Sequence, residues 1–120
     1  MANQVVWFDI PVVDLDRALR FYSAVLGSPV QRQEFPGMAM GVLPHGDAEV
    51  GGCLYQSDKD KPSDHGVLIY LNANGRLDQA VAAIEPNGGK VLQPKHTIGP
   101  YGFRAIILDS EGNRIAFHSE

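Results

Sequence analysis

Few side chains in this sequence can do chemistry, and they are scattered. Four histidines (His45, His65, His96 and His118), one cysteine (Cys53) and an early acid (Asp9) could ligate a metal, attack a substrate or move a proton. Cys53 would be a nucleophile only if a neighbouring cation lowered its pKa, and its surroundings, GGCLYQ, hold none, so a small buried residue is the better reading. His45 falls in a turn-like LPHGD and His96 in a loop. His118 and Arg114 alternate with Ala116 along one face of a terminal strand, where they offer an acid/base group and a cation. The bland alternative is a surface histidine near the end of the chain. Asp9 shares a face with Trp7 by the same alternation, as a binding-site acid or as a solvated strand-end aspartate. Tyr101 and Phe103 follow a Gly-Pro turn and read as aromatics at a cleft mouth or in the core. The segment GGKV lacks phosphate-loop spacing, and its glycines terminate a helix. Catalytic residues are therefore unassigned, with His118 and Asp9 as candidates.

These residues need elements to hold them, and the elements repeat. In DLDRALRFYSAVLG (14–27), Leu15, Ala18, Leu19, Tyr22, Val25 and Leu26 form one apolar helical stripe. Asp14 can cap its start, and Gly27 can end it in the left-handed conformation. In LDQAVAAIEPNGG (77–89), Leu77, Ala80, Val81 and Ile84 repeat the stripe, with Pro86 as the stop. Setting Leu15 on Leu77 brings Asp16 onto Asp78, Ala18 onto Ala80, Gly27 onto Gly89 and Val30 onto Leu92. Start, stripe, terminator and following strand all match, which points to a duplicated unit.

A β-rich run precedes each helix, at 5–10 and 67–71, and three strand-like runs follow each, at 28–34, 38–43 and 49–56, then 90–93, 102–108 and 113–118. Each half is strand, helix and three strands. The polar SDKDKPSD (57–64) links the first module (about 1–58) to the second (about 65–120) within a single domain, 1–120. The expected fold is α+β: two βαβββ modules forming a curved mixed sheet around a cleft, with helices on the convex face.

Composition narrows the classes. A net charge of −4 over 120 residues gives no electrostatic support for nucleic-acid binding. No apolar run approaches a membrane span, and the N-terminal MANQVVWFDIPVVD lacks a signal-peptide pattern. With a single cysteine there is no internal disulfide. A cytoplasmic location without membrane partners is the expectation.

Three segments, IPVVDLDRALRFYSAVLG, NGGKVLQPKHTIGPYGF and DSEGNRIAFH, make the chain resemble the vicinal oxygen chelate superfamily, also called the glyoxalase/bleomycin-resistance/dioxygenase family. The resemblance spans essentially the whole chain. It implies a divalent metal held by four His, Glu or Gln ligands on the first and last strands of each half, acting as a Lewis acid. Carried over residue by residue, the first ligand position is Trp7, whose indole has no lone pair to offer. The second lies near Cys53 or Tyr55, the third at Val67 or Leu68, and the last at Ala116. His65 and His118 do not restore the set, because they are displaced in opposite directions, by roughly 13 Å along the sheet.

No metal and no other cofactor are therefore expected. The resemblance then implies a metal-independent small-molecule-binding protein, similar to members that sequester drugs such as bleomycin. Trp7, Cys53, Tyr55, Tyr101, Phe103, Arg114 and His118 are its candidate ligand-binding residues. The alternatives are a glyoxalase-like lyase or isomerase with a recruited metal or acid/base groups, and a regulatory module. Pairing into a homodimer, as family members do, would cover the open sheet edges.

Overall fold

The computed structural model describes residues 2–120; Met1, the first residue of the first module, lies outside the described residues. The first module runs β1 (Trp7–Val12), α1 (Leu15–Leu26), β2 (Gln31–Phe35), β3 (Met38–Val42) and β4 (Gly51–Gln56). The second runs β5 (Ile69–Asn72), α2 (Leu77–Ile84), β6 (Lys90–Thr97), β7 (Phe103–Leu108) and β8 (Arg114–Ser119). Each module is one four-stranded sheet, ordered β1-β4-β3-β2 and β5-β8-β7-β6. First and last strands pair in parallel and the others antiparallel, so the two modules share one topology.

α1 starts where Asp14 accepts a hydrogen bond from the Arg17 N–H at 3.1 Å. It ends where Gly27, at φ 69°, donates to Ser23 O. Its buried face is Leu15, Ala18, Phe21, Tyr22 and Val25, with Leu19 and Leu26 only half-buried. Phe21 is buried because α1 packs against α2 as well as the sheet. α2 has no side-chain cap. Its Arg76 instead donates to Val25 O at the end of α1, at 2.7 Å. Pro86 lies in a 3-10 turn, Glu85–Asn87, that ends the helix.

Alternation then divides each sheet. Ile10, Val12, Leu54, Leu71, Ala105, Ile107, Ile115 and Phe117 join the helices in the core. The opposite, concave face carries the other residues of β1, β4, β5, β7 and β8. Buried polar bonds tie the modules together. Tyr22 donates to Asp109 at 2.5 Å, and Asn113 donates to Pro11 O at 2.8 Å. No described helix is long and apolar enough to cross a membrane.

Candidate functional site

On the first module, the concave face is set by the β1–β4 register, which puts Trp7 opposite Gly51 and Asp9 opposite Cys53. Gly51 leaves room for large rings: a Cβ there would meet both Trp7 and His45 at 2.8 Å. The two rings lie edge to face, with centroids 5.9 Å apart. His45 joins the site because its Nδ1 donates to Leu43 O at 2.9 Å, which pins the ring. Asp9 Oδ1 accepts from Trp7 Nε1 at 2.8 Å and from Cys53 Sγ at 3.2 Å. Burial, reinforced by Asp9, pushes the Cys53 thiol up to about 12, so no thiolate is available for attack. The Tyr55 hydroxyl donates to Asp60 at 2.9 Å; burial and then that carboxylate raise it to about 12.

On the second module, the concave face is built by β5–β8 and β7–β8 pairing. Tyr70 lies opposite Ala116, and Arg104 opposite His118. The guanidinium of Arg104 donates from Nη1 to Tyr70 OH at 2.5 Å and from Nε to His96 Nε2 at 2.9 Å. Because guanidinium only donates, His96 Nε2 carries a lone pair here, and its Nδ1–H points to Pro94 O at 2.8 Å. His118 Nε2 lies 2.6 Å from the Tyr101 carbonyl and therefore carries its proton on that atom. Tyr70, Ile98, Tyr101, Arg104 and His118 line an open pocket of about 480 Å³.

Several expectations change. His96 does not lie in a loop: β6 continues past residue 93 to Thr97 through register shifts around Pro94, which set His96 opposite Arg104. Phe103 does not face the cleft. It is opposite Ser119 and alternates with the fully buried Ala105 and Ile107, so it shares the helix face. Lys95, paired with Asp78 of α2, covers its ring there at 5.1 Å. Arg114 stands on the concave side with His118, but its Nη2 donates to Gly66 O and its buried Nε has no partner among the described residues. It lines a small pocket of about 200 Å³ between the modules with Asp9 and His65, away from His118. Trp7 is 42% exposed and Tyr101 75%, both in keeping with contact to a ligand.

The metal positions can be tested on the donor set. Trp7 and its partner Gly51 offer no ligand atom, and Cys53 beside them keeps its proton. Ala116 is fully buried, and the residue opposite it is Tyr70, just beyond Val67 and Leu68. None of these is a histidine or a carboxylate. His65 and His118 line separate pockets. No group of three or more His, Cys, Asp or Glu able to hold a metal occurs among the described residues. The residues do not fit the four-ligand centre.

A second, apolar cleft is lined largely by helix-side residues rather than by the concave face. This cleft, of about 540 Å³, runs between the β1 and β5 edges, lined by Val5, Phe8, Leu43, Val67, Ile69 and Leu71 among others. Sequence reasoning passed over Tyr70 and Arg104, and left His45 in a turn without a role. Tyr70 and Arg104 share a face with Ala116 and His118 through the β5–β8 and β7–β8 register, which alternation within one strand does not give.

Residues 4–117 match the model of the Glyoxalase/Bleomycin resistance protein/Dioxygenase superfamily. A Mycobacterium bovis protein, CFP32, to which glyoxylase activity is provisionally ascribed, is 32% identical over 110 residues, covering 90% of this chain and 41% of that protein. The chain thus spans about two fifths of the length of that relative. Among solved structures, protein SA1046 of S. aureus superimposes with a TM-score of 0.69 at 25% identity, covering 100% of this chain and 96% of that one. A glyoxalase/bleomycin resistance protein from Albidiferax ferrireducens gives 0.75 at 20% identity, covering 98% and 99%.

Proposed function

Because this chain belongs to the glyoxalase/bleomycin resistance protein/dioxygenase superfamily, we propose that it uses the family's concave face to bind a small organic molecule, and does so without the family's metal. One observation carries the reading. The faces that would present metal ligands present instead an indole over Gly51 and a phenol bound to a guanidinium beside Ala116. A guanidinium on that face also repels a divalent cation. Aromatic rings flanking a pocket, with a few fixed polar groups, suit recognition of a small molecule.

The exposed apolar residues Val5, Val6, Trp7, Val67 and Tyr70 lie in or just before β1 and β5. They support pairing of two copies across these edges. A lone buried thiol suits a reducing, cytoplasmic setting.

A thermal-shift screen of small molecules in EDTA, followed by fluorescence titration on Trp7, tests the proposal. Ligands should raise the melting temperature and change the indole emission. Stabilisation that appears only after a divalent metal is added would overturn it.

Lyase or isomerase chemistry is the second reading. The glyoxylase naming of the mycobacterial relative favours it, as does His118, whose Nδ1 is left uncommitted for proton transfer.

A further inference from the structure

Among the cations whose contacts are defined, Arg104 is the one that lines the pocket with Tyr101 and His118. Arg17, Arg32 and Lys95 each reach a carboxylate. Arg76 closes a helix end and Arg114 ties down Gly66. Arg104 has no carboxylate partner among the described residues. It is held on the concave face by two neutral acceptors, His96 Nε2 and Tyr70 OH. Neither neutralises its charge, and three of its five N–H groups are uncommitted.

The holding geometry is directional. His96 is oriented by its own Nδ1–H bond to Pro94 O, and so holds the guanidinium at Nε. Tyr70 accepts from Arg104, which leaves its hydroxyl proton free to be donated elsewhere. The Tyr70 ring lies opposite Ala116, whose methyl group leaves room for the phenol to reach Arg104 across β8. His118, the register partner of Arg104, stands beside it with Nδ1 uncommitted. Tyr101 and Ile98 complete the pocket with apolar surface.

Fixed donors around an uncompensated cation, next to aromatic walls, describe a receptor for an oxyanion on an apolar body. We propose that the second module binds a small organic anion, a carboxylate or phosphonate carried on an aromatic or aliphatic group. Its oxygens lie on Arg104 and the Tyr70 hydroxyl, and its body lies against Tyr101 and Ile98. This rests on the reading of the concave face as a small-molecule site and adds the charge of the ligand.

Matched probes test it on the full chain: phenylacetate, benzylphosphonate and the neutral phenylacetamide. Acetate and inorganic phosphate separate the anionic head from the body. The readout is the NMR shift of the arginine Nε–H signals, with affinities from titration. Either aromatic anion should bind about tenfold or more tightly than phenylacetamide, as loss of a charge-assisted pair implies, and should move the Arg104 signal. The better-bound of phenylacetate and benzylphosphonate identifies the head group. R104Q should abolish the preference, and Y70F should reduce it several-fold. If R104Q does not fold, R104K serves: it keeps the charge but loses the fork, and should weaken anion binding while leaving the amide unchanged.

Equal binding of acid and amide, or full anion binding by R104Q or R104K, would overturn the anion inference while leaving the cleft reading intact. Anions that leave Arg104 unmoved at millimolar concentration would overturn it too. The Trp7 fluorescence screen decides the cleft reading separately.

Discussion

Glu111, in the turn between β7 and β8, reaches across to the start of α1. Its Oε1 accepts from the N–H groups of Val13 and Asp14 at 2.9 and 2.8 Å, and from Arg17 Nη2 at 2.9 Å. Its Oε2 accepts from Arg17 Nε at 2.7 Å and Ser110 Oγ at 2.8 Å. Burial alone would raise this carboxyl. The bonds from Arg17, Asp14, Ser110 and Val13 outweigh it and hold the group at about 2, against an ordinary 4.5. A carboxyl lowered on folding contributes stability that is fully present above its unfolded value and is lost as pH falls toward the folded one.

At 1.36 kcal/mol per unit, the whole separation corresponds to roughly 3 kcal/mol. Arg17 keeps 45% of its side chain in water, so screening reduces the expected contribution to about 2 kcal/mol. Glu111→Gln preserves shape but removes the charge. Urea unfolding at pH 7 should show the variant less stable by about that amount, and by pH 3 more than half of the gap should be gone. A variant as stable as the parent at pH 7, or a gap unchanged at pH 3, would refute the clamp.

Three other outcomes follow from the geometry. Cys53, held up to about 12 by burial and Asp9, should react with a thiol reagent at pH 8 far more slowly in the native protein than in urea, and equal rates would contradict this. Gly51→Ala would set a Cβ 2.8 Å from both Trp7 and His45, so the rings must part and the tryptophan emission must change while the fold persists; unchanged emission would refute their edge-to-face packing over Gly51. Sedimentation should give a dimer, and a clean 13.0 kDa species at micromolar concentration would rule out pairing across β1 and β5.

The fold was legible because its signals are local. Asp14, the stripe from Leu15 and Gly27 specify α1 within one segment, and the same pattern around Leu77 exposes the duplication. That Trp7 and Ala116 cannot ligate a metal is read from residue identity, once the family resemblance supplies the positions. What stayed hidden depends on register between distant strands. His96 reaches Arg104 only because β6 absorbs Pro94 through a bulge, and nothing in the segment PKHT announces that. Phe103 after Gly-Pro reads as a cleft or a core aromatic, and only its strand's phase, set by pairing with β8, turns it to the helices. The Glu111 clamp joins residues 94 to 98 positions apart, beyond the reach of periodicity.

The claim that this member binds its ligand without a metal is tested most directly by metal analysis of purified protein, combined with melting in added zinc or nickel. The account expects far less than one metal per chain and no rise in melting temperature, because Trp7, Tyr70 and Ala116 supply no metal-binding imidazole or carboxylate. One tightly held metal per chain, released when His118 is replaced, would contradict it.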